Sequence, residues 1–215
     1  MNTSLLSDVA NRMVAPGKGI LAADESTGTI GSRLASIGVE NTEDHRRAWR
    51  ETLFTTPGIE KQISGVILYD ETIRQNGSDG EPLIDKLTAL DIMPGIKVDK
   101  STSPLENAPG EVFTSGLDGL RDRLVEYRKM GATFAKWRAV INIGRGLPTA
   151  RVIEVNSHAL ARYAGLCQEA DIVPIVEPEV LMDGDHTIEQ CYQATEATLN
   201  QVFSDLIDSG VYLEG

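Results

Sequence analysis

Charged side chains interrupt several short apolar runs, and each lies toward the carboxyl end of its run. They are Asp24 in GILAAD, Lys97 in GIKVDK, Lys136 and Arg138 in FAKWRAV, and Glu177 and Glu179 in PIVEPEV. A single such charge is more often a solvated loop residue or a structural ion pair. Because burying an unpaired charge costs several kcal/mol, repeated charges in apolar runs should pair with one another and be kept for a purpose. Burial and charged neighbours shift pKa values, so the pattern predicts proton transfer at carbon or oxygen.

A glycine-rich segment, ESTGTIGSR, follows the first of these runs. Ser26 and Thr29 offer hydroxyl and backbone donors beside a helix start, and Arg33 adds a guanidinium, which is a set that suits a phosphate. An ordinary glycine-rich connection between a strand and a helix fits the segment equally well. The spacing of Gly17, Gly19 and Ala22 resembles a dinucleotide fingerprint, but it lies before its strand and is not one.

The elements that would position these residues alternate along the chain. Strands are predicted over residues 19–24, 65–69, 94–98, 133–137, 172–176 and 211–213. Helical patterns lie between them, including one from Leu117 to Gly131 and one from a Thr187/Gln190 capping box to Gly210. Near-continuous apolar strands that alternate with helices indicate a parallel sheet, and both a doubly wound sheet and a (β/α)8 barrel fit. Charges at the carboxyl ends of the strands favour the barrel, whose chemistry lies at that end.

The remaining conspicuous features of the sequence are predicted to have structural roles and no catalytic role. Residues 100–111, KSTSPLENAPGE, are predicted to form a long loop over the barrel mouth. The MDGDH stretch at residues 182–186 is predicted to be a turn and cap rather than a cation site. The three histidines are scattered, so no metal site is expected, and Cys167 and Cys191 are predicted to be buried free thiols.

Length and charge bound the class of protein. The chain has 215 residues, 41% of them hydrophobic, and a formal net charge of -12, which predicts a single soluble domain over residues 1–215. Nucleic acid and anionic membranes both need a cationic face, so neither is expected as a partner. The sequence shows neither a leader pattern nor an apolar run long enough to span a membrane, and we therefore expect a cytoplasmic location.

The motifs together, in order and over nearly the whole chain, resemble the class I fructose-bisphosphate aldolases. They are GKGILAADESTGTIGSRL, GVILYDET, GIKVDK, GLDGL, FAKWR, IVPIVEPEV and DGDH. The resemblance implies a (β/α)8 barrel, of which this chain would carry about five strand-helix units and the start of a sixth strand. It implies reversible cleavage of fructose 1,6-bisphosphate to dihydroxyacetone phosphate and glyceraldehyde 3-phosphate through a lysine Schiff base, with no metal and no cofactor. A homotetramer is the common assembly in the family.

The resemblance also implies a role for each acid-base residue. Asp24 matches the aspartate that assists carbinolamine formation and orients substrate hydroxyls, and Glu177 matches the principal proton donor and acceptor, with Glu179 beside it. Lys136 and Arg138 match the pair that stabilises developing charge and holds the substrate.

Four further positions would bind the substrate. Lys97 matches another lysine that contacts it, and Thr29 and Arg33 match positions that contact one phosphate. Thr29 stands where many relatives have Ser, which keeps the hydroxyl. Ser26, in the same loop, is expected to contribute to substrate binding.

The family's Schiff-base lysine has no match among these residues. The resemblance makes VYLEG, residues 211–215, the start of the sixth strand and places the lysine beyond Gly215. We therefore expect a truncated aldolase sequence, inactive by itself. Two alternatives stay open: a naturally short, non-catalytic binding or assembly protein, and a different Schiff-base lyase on the same barrel. Preference between fructose 1,6-bisphosphate and the 1-phosphate would depend in part on regions outside this chain.

Overall fold

The computed structural model describes all 215 residues as alternating strands and helices. The strands are β1 (Gly19–Ala23), β2 (Ile63–Leu68), β3 (Met93–Lys97), β4 (Thr102–Pro104), β5 (Val112–Thr114), β6 (Phe134–Ile141) and β7 (Val173–Val180). The helices are α1 (Thr3–Met13), α2 (Thr27–Ser36), α3 (Glu43–Phe54), α4 (Asp70–Ile73), α5 (Leu83–Thr88), α6 (Leu120–Met130), α7 (Ala150–Glu169) and α8 (Ile188–Asp208), with a short 3-10 turn at Ile59–Lys61. None of the eight helices combines the length and apolar character that a membrane crossing requires.

Five strands form one parallel sheet in the order β1-β2-β3-β6-β7. Helices connect successive strands, and the sheet curls as part of a barrel does. Parallel pairing sets the strand ends at one edge, so Lys97 lies opposite Lys136 and Arg138 lies opposite Glu177. The α/β prediction and the choice of a barrel over a doubly wound sheet are confirmed.

The two faces of the sheet bury different apolar sets. Val66, Leu68 and Trp137 point to the helices that connect the strands and belong to a core cluster of 26 buried residues. On the opposite face, Phe134 packs with residues of α1 in a second cluster of 7 buried residues. The ring of Phe134 leaves no room for a side chain at Gly95, because an added Cβ would overlap the ring carbons. The concave face of the sheet therefore carries packed apolar side chains near the amino ends of the strands and polar side chains near their carboxyl ends.

The helix predictions are largely confirmed. The capping box at the start of α8 is present, with the Thr187 side chain accepting from the Gln190 N–H and the Gln190 side chain accepting from the Thr187 N–H. The helix α6 begins at Leu120 rather than at Leu117, and it ends at Gly131, which adopts φ 106° as a left-handed C-cap.

Three predictions are wrong in detail. Residues 100–111 do not form a plain loop, because β4 and the start of β5 make an antiparallel hairpin around that stretch. Residues 211–213 form no strand: the main chain of Tyr212 bonds to the side chain of Gln168 instead of to β7. Cys167 is fully buried as predicted, but Cys191 is partly exposed because it lies in the first turn of α8, before the first buried residue of that helix, Ala194.

Candidate active site

A cavity of about 610 Å³ opens at the carboxyl ends of β1, β3, β6 and β7. All nine residues singled out from the sequence line it: Asp24, Ser26, Thr29, Arg33, Lys97, Lys136, Arg138, Glu177 and Glu179. Alternation along each strand explains the convergence, because in β6 Lys136 and Arg138 share the cavity side while Trp137 between them is buried on the other. Residues from four distant segments of the sequence thus meet at one end of the sheet.

Lys136 lies at the centre of the cavity between two carboxylates. Its Nζ is 3.3 Å from Oδ2 of Asp24 and 3.0 Å from Oε2 of Glu177. Burial by itself lowers the pKa of Lys136, but the attraction of Asp24 and Glu177 outweighs burial and the net pKa is raised. Lys136 is therefore a fixed ammonium at neutral pH, suited to stabilise negative charge rather than to attack a carbonyl.

Glu177 has the opposite electrostatic balance. Burial raises the pKa of its carboxyl group, and the nearby ammonium of Lys136 offsets burial only in part. Its Oε2 is buried and has no hydrogen-bond partner, although the ammonium of Lys136 lies close to it. A carboxyl group whose pKa moves up toward neutrality gains and loses protons more readily at physiological pH, which is the requirement for general acid-base catalysis.

Two further ion pairs line the cavity. Arg138 pairs with Glu179, and this hydrogen bond raises the pKa of Arg138 above its already high ordinary value despite partial burial. Lys97 pairs with Asp99, whose Oδ2 also accepts a hydrogen bond from the main-chain N–H of Arg138 at 3.3 Å. These pairs hold the cations on β3 and β6 toward the cavity.

The glycine-rich segment forms the loop after β1 and the first turns of α2. Ser26 is the N-cap of α2, where its side chain accepts from the N–H of Thr29, and the two hydroxyl oxygens lie 3.1 Å apart. Arg33 pairs with Glu25 at the edge of the cavity, and its side chain is 56% exposed. Hydroxyls, a helix amino terminus and an accessible guanidinium make this the region of the cavity best suited to an anion.

Six residues that line the cavity were not predicted from the sequence: Ala22, Glu25, Asp99, Ser101, Thr102 and Val140. Asp99 could have been found, because it lies two residues after Lys97 and so falls on the same side of an extended chain. Glu25 adjoins Asp24 but falls within the glycine-rich segment, whose pattern predicts an anion site and gives no separate role to a carboxylate. Ser101 gave no signal, since its position depends on the hairpin of β4 and β5 and on a left-handed backbone (φ 70°).

The side chains present indicate acid-base and anion-binding chemistry. No group of three or more His, Cys, Asp and Glu side chains has an arrangement that would hold a metal ion. The cavity instead combines cationic side chains with a carboxyl group of raised pKa, which together can bind an anion and move protons on it.

Comparison with known proteins shows which family the chain belongs to. The family model described as "Glycolytic: Fructose-bisphosphate aldolase class-I" matches residues 5–215. A protein of Xanthomonas axonopodis pv. citri (strain 306), named "Probable fructose-bisphosphate aldolase class 1", is 60% identical over 215 residues, which cover 100% of this chain and 64% of that protein. "Fructose-bisphosphate aldolase 6, cytosolic" of Arabidopsis thaliana is 54% identical over 220 residues, covering 99% of this chain and 62% of that protein.

A solved structure shares the fold. The fructose-bisphosphate aldolase from Plasmodium falciparum, determined in complex with TRAP and a small-molecule inhibitor, superposes with a TM-score of 0.97 at 47% sequence identity, covering 98% of this chain and 61% of that one. The chain thus spans less than two thirds of the length of these relatives. The match of the family model over residues 5–215 shows that the chain belongs to the class I fructose-bisphosphate aldolase family.

Proposed function

We propose that the complete protein containing this chain reversibly cleaves fructose 1,6-bisphosphate to dihydroxyacetone phosphate and glyceraldehyde 3-phosphate through a lysine Schiff base. The proposal rests mainly on the position of Lys136, which lies between Asp24 and Glu177 at the carboxyl ends of the strands of a curled parallel sheet. Membership of the aldolase family supports the choice of substrate.

Glu177 would carry the protons. When the lysine amine adds to the C2 carbonyl, the carbinolamine forms, and its hydroxyl must gain a proton to leave as water; the raised pKa of Glu177 makes it the donor. The carboxylate so formed can then take the proton of the C4 hydroxyl. The C3–C4 bond breaks, its electrons pass to the iminium to give an enamine, and the aldehyde leaves.

The other groups would hold and orient the substrate during these steps. The ammonium of Lys136 stabilises negative charge that develops on the substrate oxygens, and Asp24 orients the hydroxyls. Arg138 and Lys97, each paired with a carboxylate, add donors to the same wall, where Glu179 lies beside Glu177.

One phosphate would bind at the start of α2. Ser26 and Thr29 provide hydroxyls there and Arg33 provides a guanidinium, which forms strong hydrogen bonds to phosphate oxygens. This assignment agrees with the family resemblance of Thr29 and Arg33.

We further propose that the covalent lysine lies outside these 215 residues and that the chain alone does not turn over. The two lysines that line the cavity are each engaged by a carboxylate, Lys97 by Asp99 and Lys136 by Asp24 and Glu177. An amine nucleophile must be unprotonated, and the raised pKa of Lys136 works against that state.

Borohydride trapping tests the covalent step. Dihydroxyacetone phosphate and borohydride are added to the 215-residue chain and to the complete gene product, and intact mass reports any reduced adduct. An adduct on the complete product alone is expected. An adduct on neither would favour a non-catalytic binding protein, and one on the short chain would make Lys97 or Lys136 the nucleophile.

Location and assembly are proposed by analogy with related proteins. We propose a cytoplasmic location, in line with the cytosolic relatives of Arabidopsis thaliana, and a homotetramer, in line with the family resemblance. Sedimentation equilibrium of the complete gene product tests the assembly.

A further inference from the structure

An arginine outside the cavity is completely enclosed by the protein. Arg50 of α3 is 0% exposed, and arginine is among the residues most rarely buried in full. Its Nη1 donates to Oγ1 of Thr72 at 2.7 Å, and its Nη2 donates to the main-chain oxygen of Glu25 at 2.6 Å. The guanidinium also lies 5.6 Å from the centroid of the Tyr69 ring. Arg50 thus joins α3 to the ends of both β1 and β2.

The burial of Arg50 carries a free-energy cost that a purely structural role does not explain. Its Nε has no hydrogen-bond partner, and neither has the buried Oε2 of Glu25, which is 3.8 Å from Nη2 of Arg50. Burial accordingly lowers the pKa of Arg50, with Glu25 as the main opposing charge. Apolar side chains of similar volume in such a place are often neutral or stabilising. Stability by itself therefore does not account for this charge.

The segment that Arg50 holds is the one that carries the candidate phosphate site. Glu25 lies between Asp24, whose carboxylate contacts Lys136, and Ser26, the N-cap of α2. The Oε1 of Glu25 pairs with Arg33. A chain of contacts therefore runs from Arg50 through the main chain and the carboxylate of Glu25 to Arg33.

We propose that Arg50 is a positioning residue, which fixes the loop after β1 so that Asp24 faces Lys136 and so that Glu25 directs Arg33 toward the bound phosphate. The proposal rests on the proposed function for the identity of the substrate, but the phosphate-binding part of it does not depend on turnover. Arg50 itself touches neither the cavity nor any group that would react.

Phosphate affinity provides a readout that does not need catalysis. In the complete gene product, the dissociation constant of inorganic phosphate is measured by titration calorimetry for wild type, Arg50→Lys, Arg50→Met and the control Arg47→Met. Arg47 lies on the same helix and pairs with Glu51, without contact to the loop after β1. A lysine has one ammonium and cannot reach both Thr72 and Glu25, so we expect Arg50→Lys to weaken phosphate binding about tenfold. The control should stay within about twofold of wild type.

A double-mutant cycle with Arg33, read by phosphate affinity, distinguishes a positioning role of Arg50 from a general disturbance of the fold. Arg33→Gln is expected to weaken phosphate binding at least as much as Arg50→Lys, and the double variant no more than Arg33→Gln alone, because both act through one contact chain. Additive losses would overturn the proposal, as would an unchanged phosphate affinity in Arg50→Lys. Arg50→Lys keeps the charge and so tests the proposal even where Arg50→Met fails to fold.

Turnover then distinguishes this proposal from the proposed function. With fructose 1,6-bisphosphate, Arg50→Lys should raise KM and lower kcat together, through Arg33 and Asp24 respectively. A wild-type protein that binds phosphate in the predicted Arg50-dependent way but cleaves no fructose 1,6-bisphosphate would refute the aldolase function and leave the positioning role standing. Active wild type with Arg50→Lys kinetics equal to those of Arg47→Met would refute the positioning role only.

Discussion

Among single residues, Glu177 and Lys136 illustrate how neighbours divide labour at a site. Both side chains are partly buried, and Nζ of Lys136 lies 3.0 Å from Oε2 of Glu177. Burial has the largest effect on the pKa of Glu177 and raises it. Burial lowers the pKa of Lys136, but the attraction of two carboxylates outweighs it. The pKa values of both groups are raised, which leaves one group able to exchange protons and the other permanently charged.

Replacing Glu177 by Gln in the complete gene product should lower kcat by about 10²- to 10⁴-fold, because the amide cannot transfer protons. Binding of dihydroxyacetone phosphate should change little, since the amide keeps the size and polarity of the carboxyl group. Steady-state kinetics with fructose 1,6-bisphosphate measures kcat, and Glu169→Gln, which alters only an outer ion pair with Arg121, is the matched control. Near-normal turnover in Glu177→Gln would place the acid-base group elsewhere.

The raised pKa of Glu177 also predicts a dependence of stability on pH. A folded-state pKa above the unfolded value of about 4.3 means that the proton stabilises the fold below that pH, and that this stabilisation is lost as pH rises through the folded pKa. Glu177→Gln stays neutral throughout. The free energy of unfolding of the variant relative to wild type should therefore increase between pH 4 and pH 7, as measured by urea denaturation. A constant or decreasing difference would show that the pKa of Glu177 is not raised.

Residues of the site differ in how well a sequence pattern reveals them. Lys136 and Glu177 stand out because a charge inside an apolar strand is costly and so carries information. Arg50 gives no such signal: it sits in a helix full of charged residues, and its burial depends on how α3 packs against two strand ends far away in sequence. Tertiary packing alone decides that position.

At the level of elements, the charged residues that mark the site also make the strands appear shorter in the sequence than they are in the structure. The apolar runs predict strands that end near Trp137 and Val176, whereas β6 continues to Ile141 and β7 to Val180. Backbone pairing between the two strands carries the extended conformation past the charged residues. The hairpin of β4 and β5 was missed for a related reason, since its strands have three residues each and the pattern needs more.

Asn156 attaches this hairpin to α7. Its Oδ1 accepts from the Thr114 N–H at 3.2 Å, and its Nδ2 donates to the Val112 oxygen at 3.0 Å. Asn156→Leu would leave these two main-chain groups unpaired, so we expect a loss of about 2 to 4 kcal/mol in the free energy of unfolding. Urea denaturation measures the loss.

Asn142→Leu serves as the control for Asn156→Leu. Its side chain donates to the main-chain oxygen of Gly110 at 2.8 Å but is more exposed, so water can replace that bond. Equal losses in the two variants would mean that the contacts of Asn156 contribute little to attaching the hairpin.

At the scale of the whole molecule, an exposed apolar surface lies on α8. An apolar stripe of Ile188, Tyr192, Leu199, Phe203 and Ile207 is exposed, and it adjoins a groove of about 210 Å³ beside β7, which pairs with only one neighbouring strand. Contact with another apolar surface would cover this stripe and groove favourably, because it removes the exposed apolar side chains from water.

The isolated 215-residue chain should therefore self-associate at concentrations of about 10 to 100 µM. Phe203→Glu places a charge in the stripe and should shift sedimentation velocity profiles toward the monomer. Val125→Glu, at a lone exposed valine on α6, should not. A wild-type chain that stays monomeric over this range would show that the stripe is tolerated in water.

From Ala135 to Ile141, buried residues alternate with cavity-lining residues along β6, which has a consequence for insertions and deletions. Removing the one residue between Phe134 and Lys136 would turn the lysine toward the helices and bring the indole of Trp137 into the cavity. A single-residue deletion would therefore move every following side chain of the strand to the opposite face of the sheet. Removing one residue from the turn at Glu106–Pro109 would only shorten a connection between β4 and β5. A deletion scan for folded protein should thus find β6 intolerant at every position and this turn permissive, which would give lineages of such proteins freedom to vary in length only between their strands.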